Sequence, residues 1–192
     1  MGRLIVEQVV TLDGYAADPD GGIDFFEALV RPGADGEVDF NDAEQLAYVG
    51  QADAILLGAT TYRMFADYWP GVDPAVEQVA ELIDRLPKFA VSNTLPNAPW
   101  GDGEIEVLRG DGVEAAAEVK QRFATVLVWG SLTLTDALLG AGLVDELHLR
   151  VVPALLGAGR SFAPPRIADR ALEFRHVEAR PGGVVNLTYA LR

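Results

Sequence analysis

Short apolar segments that lead straight into a glycine constrain the fold of this chain most. "TVLVW" (125–129) is followed by Gly130, and the apolar part of "DAILLG" (53–58) ends at Gly58. Strands with so few polar positions are typical of a parallel sheet, because helices cover both of its faces. We therefore expect these segments to be central strands whose carboxyl ends open into helices.

Strands and helices alternate along most of the chain, and strands alone follow near its end. Further strands are predicted at residues 3–12, 88–92, 104–108, 145–152, 172–180 and 184–192. Helices are predicted at 41–52, after Gly58, from Pro74 onward, at 111–123 and at 131–142. This order predicts an α/β fold with a mostly parallel sheet and antiparallel C-terminal strands. We see no linker, so we expect one domain over residues 1–192.

The composition excludes several classes of function. A formal charge of −14 argues against nucleic-acid binding and against binding to an anionic membrane surface. The chain has no cysteine and two histidines far apart, so we expect no disulfide, no cysteine nucleophile and no metal site. No segment is long enough to span a membrane, and the first apolar run is too short for a signal peptide. These features predict a cytoplasmic protein.

Three predicted strands end in turns of small or polar residues. These turns are Gly58-Ala59-Thr60-Thr61, Ser92-Asn93-Thr94 and Gly130-Ser131-Leu132-Thr133. Ligands of parallel α/β sheets bind outside the carboxyl ends of the strands, and helix N-termini there attract phosphates. The alternative for each turn is an ordinary helix cap, made for example by a threonine. Neither the phosphate-binding loop ending in Gly-Lys-Ser/Thr nor the three-glycine dinucleotide pattern is present.

Several motifs, in this order, resemble those of dihydrofolate reductase-like proteins. They are "LDGYAAD", "ILLGATTYRMF", "KFAVSNTL" and "VWGSLTLTDALLGAGLVDELHLRVVPALLGAGRSF". The resemblance covers essentially the whole chain and is nearest to the bacterial branch that includes the reductase domain of riboflavin biosynthesis. It implies a three-layer αβα fold that binds NADPH along the carboxyl ends of the central strands.

The resemblance also implies roles for individual residues. The pyrophosphate, its ribose, the adenosine and the diphosphate are expected at Gly58, Thr60, Thr61, Tyr62, Ser92, Asn93, Thr94, Gly130, Ser131, Leu132 and Thr133. Ala16 and Ala17 are expected beside the nicotinamide. The substrate is expected near Asp13, Asp24 and the 155–159 loop, which contains Leu155, Leu156 and Gly157.

Two positions depart from the pattern of the resembling proteins, which carry arginines there that hold the 2′-phosphate of NADPH. This chain has Ala59 and Asn93 instead. An arginine makes charge-assisted hydrogen bonds to phosphate, about twice as strong as neutral ones. Arg63 and Lys88 are candidate substitutes. NADPH is the expected cofactor, and NADH stays open.

Two carboxylates are equal candidates for the residue linked to proton transfer. Asp42 has the spacing of the acid that folate reduction needs at the start of the first helix, or it is a helix cap. Asp24 precedes Phe25 and Phe26, and an apolar wall would raise its pKa.

The leading interpretation is an NAD(P)H-dependent reductase of a small heterocyclic or carbonyl/imine substrate. The resemblance is nearest to 5-amino-6-(5-phosphoribosylamino)uracil reductase and to dihydrofolate reductase. The alternative is a nucleotide- or flavin-binding module of the same fold without reductase chemistry. A homodimer is expected from the resemblance and from the strand-rich C-terminal third.

Overall fold

The computed structural model describes residues 2–30, 43–164, 167 and 170–192. The chain divides into two compact units. The first unit comprises residues 1–5 and 41–144, and the second comprises residues 6–40 and 145–192. The prediction of a single domain over 1–192 stays a prediction.

Among the described residues, eight of the twelve strands lie close to predicted ones, and the other four are strands of two or three residues that the sequence does not predict. The strands are β1 (Arg3–Thr11), β2 (Tyr15–Ala17), β3 (Ala54–Gly58), β4 (Lys88–Val91), β5 (Pro99–Trp100), β6 (Gly103–Glu104), β7 (Glu106–Leu108), β8 (Thr125–Trp129), β9 (Glu146–Val152), β10 (Arg160–Ser161), β11 (Leu172–Ala179) and β12 (Val185–Leu191). The helices are α1 (Ala43–Val49), α2 (Ala59–Tyr68), α3 (Val79–Arg85), α4 (Gly112–Arg122) and α5 (Leu132–Gly140). Short 3-10 helices cover Asp24–Val30, Trp69–Gly71 and Pro181–Gly183.

Parallel strands form the sheet of the first unit. Its strand order is β8-β3-β4-β7, and β3 pairs in parallel with both β4 and β8. Strand β4 pairs in parallel with β7. The apolar segments 54–57 and 125–129 are therefore central strands, as predicted. Ile55, Leu57 and Leu127 are fully buried in the core of this unit.

The three tryptophans all lie in the first unit. Trp100 and Trp129 belong to the buried core, and Trp69 packs against that core. The ring centroids of Trp69 and Trp129 are 6.3 Å apart, and Phe65 lies 5.4 Å from Trp129.

One predicted helix boundary is wrong, and the correction has a local cause. We predict a helix from Pro74, but α3 begins at Val79. The side-chain carboxylate of Asp73 accepts the N–H of Ala75 over 2.9 Å. The backbone carbonyl of Asp73 accepts the N–H groups of Val76 and Glu77. These bonds close a single capped turn after Asp73 that is not continued into α3, and Val76 in this turn is exposed. Helix α4 is capped by Asp111, whose side chain accepts the N–H groups of Val113 and Glu114.

In the second unit the strand order is β11-β12-β9-β1, and β12 pairs antiparallel with both β11 and β9. The predicted antiparallel C-terminal strands are thereby confirmed. Strand β2 lies where the sequence predicts no strand, and it pairs with β10. Paired residues of an antiparallel sheet share a face, so the register defines an apolar face on β9, β11 and β12. Its paired residues are Leu149 with Leu187, Leu147 with Tyr189, Val151 with Val185, Phe174 with Tyr189, and Val177 with Leu187.

No helix in the described parts of the chain combines the length and the apolar character that crossing a membrane requires. The cytoplasmic location stays a prediction.

Candidate functional site

The structure brings the three predicted turns to one edge of the sheet in the first unit. Strands β8, β3 and β4 are adjacent and parallel, so all three end at the same edge. Gly58 ends β3, Ser92 follows β4, and Gly130 follows β8. The turn at Gly58 therefore lies between the other two.

Helix α2 begins at this edge without a side-chain cap. Its N-cap is Gly58, which has extended backbone dihedrals and no side chain to accept an N–H. The alternative that a threonine caps this helix is therefore wrong. Thr60 is exposed in the first turn. Uncapped N–H groups and the positive end of the helix dipole attract an anion.

Helix α5 begins beside it in an unusual backbone conformation. Gly130 has φ 57°, and Ser131 has φ 54° and ψ 47°, so two consecutive residues are left-handed. A left-handed residue other than glycine costs on the order of 1–2 kcal/mol. A side chain at Gly130 would also lie 3.4 Å from Thr61 Oγ1, so glycine suits this position on both counts.

Hydrogen bonds of Ser131 compensate for that strain. Its Oγ accepts the N–H of Gly58 over 2.8 Å and donates to the Trp129 carbonyl over 2.9 Å. Its own N–H donates to Thr61 Oγ1 over 2.9 Å. We call Gly58, Thr61 and Ser131 the serine staple. The staple joins the two helix starts, and it uses polar groups of Thr61 and Ser131 that sequence reasoning assigns to a ligand.

Two other predicted residues of this edge are also held within the protein. The Tyr62 side chain is 4% exposed, and its hydroxyl donates to the Pro99 carbonyl over 2.7 Å. Burial raises the pKa of this hydroxyl above its ordinary value. Leu132 is half-buried at the start of α5. Thr133 is exposed on the first turn of α5, as Thr60 is on that of α2.

The turn after β4 is built around Ser92 and Asn93. Ser92 Oγ accepts the N–H groups of Thr94 and Leu95 over 3.2 and 3.1 Å. The Asn93 side chain donates to the Gly110 carbonyl over 3.1 Å and accepts the Gly110 N–H over 2.7 Å. Asn93 therefore joins this turn to the segment after β7.

Sequence reasoning missed Arg109, which lies directly after β7. One of its terminal nitrogens, Nη1, donates to the Ser92 carbonyl over 2.8 Å. The other, Nη2, donates to the carbonyls of Leu95 and Pro96. The signal in the sequence is a lone arginine at the end of a strand. Arg109 is exposed at the same edge as the three turns.

The two basic residues that sequence reasoning considers lie elsewhere. Lys88 is buried at the start of β4, and its Nζ donates to the carbonyls of Ile83, Asp84 and Leu86. Burial lowers the pKa of Lys88. Arg63 is exposed on α2, beside a cavity of about 400 Å³ that Tyr62 and Pro99 also line.

In the second unit, Asp13 organises the loop expected near the substrate. Its carboxylate accepts the Thr11 hydroxyl over 2.6 Å, the N–H of Gly157 over 2.7 Å and the N–H of Leu156 over 3.2 Å. The Thr11 hydroxyl and the Gly157 N–H lower the pKa of Asp13, so it stays ionised near neutral pH. Asp13 therefore anchors this loop and is unsuited to donate a proton. Leu155 projects from the loop and is exposed.

The same unit holds the residues expected beside the nicotinamide. Ala16 and Ala17 are buried on β2. Gly159 has φ 145°, and a side chain there would lie 2.2 Å from the Ala17 carbonyl oxygen. Only glycine allows this close approach.

Of the two candidate acids, the structure describes Asp24. Asp24 is exposed at the first residue of its 3-10 helix, so the predicted apolar wall does not enclose it. Phe25 and Phe26 instead pack on each other, with ring centroids 5.0 Å apart, and on the core of the second unit. Asp42 lies outside the described residues. Within the described ranges, no group of three or more histidines and carboxylates could hold a metal ion.

A known family accounts for nearly the whole sequence. The family model "RibD C-terminal domain" matches residues 3–186. The chain belongs to the RibD C-terminal domain family. The predicted resemblance to the riboflavin-biosynthesis reductase domain is confirmed.

The individual relatives of this chain are distant from it in sequence. The uncharacterized protein YyaP of Bacillus subtilis is 25% identical over 194 residues, which cover 97% of this chain and 94% of YyaP. A putative riboflavin biosynthesis protein from Shewanella has a TM-score of 0.77 at 22% identity, and the likeness covers 99% of each chain.

Two further structures bear on the fold. The diaminohydroxyphosphoribosylaminopyrimidine deaminase/5-amino-6-(5-phosphoribosylamino)uracil reductase of Thermotoga maritima has a TM-score of 0.65 at 13% identity. The likeness covers all of this chain and 57% of that one. Dihydrofolate reductase from Enterococcus faecalis, complexed with NADP(H), has a TM-score of 0.56 at 12% identity over 99% and 96% of the two chains. The dihydrofolate reductase-like α/β fold is thereby confirmed.

Proposed function

We propose that this chain is an NAD(P)H-dependent reductase of a small heterocyclic or carbonyl/imine substrate. The nearest named activity is 5-amino-6-(5-phosphoribosylamino)uracil reduction, the reductase activity in the name of the Thermotoga protein. One observation carries the proposal. This chain belongs to the RibD C-terminal domain family, and its helices α2 and α5 both begin without a side-chain cap at one edge of its parallel sheet.

The residues of this edge fit a dinucleotide. The first N–H groups of α2 have no cap from Gly58, and Ser131 makes no side-chain cap bond at α5. A pyrophosphate carries the oxygens that such N–H groups bind. The exposed hydroxyls of Thr60 and Thr133 add donors on the first turn of each helix.

When bound, a nicotinamide cofactor supplies the hydride, and the protein supplies position and electrostatics. The serine staple fixes the distance between the two helix starts that hold the pyrophosphate. Ionised Asp13 holds the backbone of Leu156 and Gly157 in a defined loop. The proton-linked residue stays a prediction at Asp24 or Asp42.

Binding and turnover test the proposal separately. Calorimetric titration with NADPH and NADH should give binding of at least one dinucleotide below the millimolar range. Mixing the protein with NADPH and 5-amino-6-(5-phosphoribosylamino)uracil should then oxidise the cofactor. Failure of both dinucleotides to bind would overturn the reductase proposal. Dinucleotide or flavin binding without oxidation of NADPH by any heterocyclic, carbonyl or imine substrate would favour the nucleotide-binding module.

A further inference from the structure

A cavity of about 440 Å³ lies at the amino-terminal edge of the parallel sheet in the first unit. Lys88 begins β4, Glu106 begins β7 and Phe123 precedes β8, and all three line the cavity. The three turns of the candidate site follow the opposite ends of these strands or of their neighbour β3. The cavity is therefore separate from the edge at which we propose the dinucleotide, and its volume is typical of pockets that hold a small molecule.

Three aromatic residues contribute to the lining of this cavity. Trp100 belongs to the hairpin of β5 and β6, and Phe89 on β4 packs against Phe123 with ring centroids 5.6 Å apart. Leu86 and Ile105 add aliphatic surface. Aromatic and aliphatic side chains of this kind favour a flat, largely apolar ring over a flexible polar chain.

The indole of Trp100 carries a donor that the protein leaves unsatisfied. Trp100 is 8% exposed, and its Nε1–H has no hydrogen-bond acceptor among the residues that the structure describes. The Nζ of Lys88 lies 4.9 Å from the centroid of the Trp100 ring, but an ammonium only donates and cannot supply the acceptor. A buried N–H without a partner costs free energy, and a carbonyl oxygen of a ligand would remove that cost.

The charged residues of the cavity leave a carboxylate, and no cation, for a ligand. Arg122 pairs with Glu106 over 3.0 Å and with Glu118 over 3.4 Å. The Nζ of Lys88 already donates to three backbone carbonyls. Glu104 on β6 is exposed and has no ion pair with any described residue. A carboxylate of this kind accepts an N–H of a ligand and repels an anion.

We propose that this cavity binds an uncharged planar heterocycle that carries a ring carbonyl and ring N–H groups, the chemistry of a nucleobase. The ring lies among the aromatic residues, its carbonyl accepts the Nε1–H of Trp100, and one of its N–H groups donates to Glu104. The inference does not rest on the proposed reductase function, because the cavity lies at the other edge of the sheet.

NMR of the isotope-labelled full chain tests the site, because each of the three tryptophans gives its own indole N–H signal. The signal that is lost in Trp100→Phe belongs to Trp100. Hypoxanthine is the probe, and benzoate and benzamidine are aromatic probes of opposite charge. Hypoxanthine should move the Trp100 signal downfield and saturate it below the millimolar range, while the signals of Trp69 and Trp129 move far less. Benzoate should bind at least about 10-fold more weakly, since Glu104 repels it.

Calorimetry of two variants tests the contact with the carboxylate. Glu104→Gln should weaken hypoxanthine about 10-fold, because a neutral hydrogen bond replaces a charge-assisted one. Glu118→Gln, a change on α4 outside the lining of the cavity, is the matched control and should change the affinity less than about twofold. Saturating NADPH should leave the affinity for hypoxanthine unchanged, since the two sites lie at opposite edges of the sheet.

Several outcomes would overturn this inference. They are a Trp100 signal that hypoxanthine leaves in place, displacement of hypoxanthine by NADPH, and benzoate or benzamidine that binds as tightly as hypoxanthine. If Trp100→Phe fails to fold, calorimetry decides, and equal affinities of Glu104→Gln and Glu118→Gln would overturn the inference. Wild type that binds hypoxanthine in this cavity but neither dinucleotide would overturn the proposed function alone.

Discussion

The hydroxyl of Ser131 accepts the backbone N–H of Gly58 over 2.8 Å, across 73 residues of sequence. The same serine donates its own N–H to Thr61 Oγ1. A single left-handed residue thereby joins the starts of α2 and α5. Whatever binds at this edge meets two helix termini whose separation is fixed in advance.

We expect Ser131→Ala to lower the free energy of unfolding by about 1–2 kcal/mol, because the Gly58 N–H and the Trp129 carbonyl each lose a partner. Affinity for NADPH and for NADH should fall by the same factor, since the change acts through the position of the helix starts. Urea unfolding and calorimetry measure the two effects. Ser161→Ala, at an exposed serine on β10, is the matched control. Unchanged stability of Ser131→Ala would contradict the staple.

The serine staple shows what the sequence could and could not predict. The pattern of apolar runs ending in glycine places Gly58 and Gly130 at strand ends, because parallel strands end together. The partners of Ser131 are not predictable in this way. Its left-handed conformation and its bond to Gly58 depend on how α2 and α5 pack against neighbouring strands.

The positions of the basic residues depend on the order of the strands in the same way. Lys88 and Arg63 are near the relevant motifs in sequence, but Arg109 reaches the turn after β4 through the pairing of β4 with β7. The surroundings of Asp24 are not predictable from its neighbours either, because Phe25 and Phe26 follow it in sequence but do not enclose its carboxylate. Sequence proximity predicts the turn, and strand order decides which side chains meet there.

Asp13→Asn should loosen the loop at Leu156 and Gly157, because a neutral amide replaces a carboxylate that accepts two backbone N–H groups and a hydroxyl. Amide hydrogen exchange of these two residues should accelerate at neutral pH. Asp20→Asn, an exposed change on a neighbouring loop, is the control. Exchange that is equal in both variants would remove Asp13 as the anchor of the loop.

The pH dependence of the loop has a definite sign. The pKa of Asp13 is lowered in the folded protein, so its contribution to stability is present above the ordinary value of 3.8. It is lost as the pH falls through the lowered pKa. The amide NMR signals of Leu156 and Gly157 should therefore hold their positions from neutral pH to 3.8 and move only below it. Movement well above that pH would contradict the lowered pKa.

Lys88→Met should destabilise the first unit by about 1–3 kcal/mol, since it removes the donor for carbonyls of Ile83, Asp84 and Leu86. Denaturant unfolding measures the change. Arg85→Met provides the comparison, because Arg85 is exposed and surface substitutions usually change stability by less than about 0.5 kcal/mol. Equal midpoints for the two variants would show that Lys88 is not a structural donor.

Gly159→Ala should destabilise the second unit by about 2 kcal/mol or more, because the new Cβ would clash with the Ala17 carbonyl and the backbone is strained for alanine. Gly140→Ala is the matched substitution. It lies in α5 with no atom within 4 Å of the new Cβ, and alanine favours helix over glycine by up to about 1 kcal/mol. The midpoint temperature of thermal unfolding should fall for Gly159→Ala and should stay the same or rise for Gly140→Ala.

The expected homodimer is proposed to form through the apolar face of β9, β11 and β12. Phe174 and Val177 are exposed there, and the paired residues of the face carry no charge, so two acidic chains can approach. Light scattering should give twice the chain mass for wild type and the single mass for Phe174→Glu. His176→Glu, on the opposite face of β11, should stay dimeric. A wild-type monomer at working concentration would remove this proposal.

The main-chain anchoring of Arg109 also bears on how this sequence can drift. Every residue brings a carbonyl, whatever its side chain, so substitutions at Leu95 or Pro96 leave the acceptors of the guanidinium in place. The position of the guanidinium can then survive substitution of the amino acids around it. It depends instead on the length of the segment between Ser92 and Pro96, and a deletion there should be tolerated far less than any replacement.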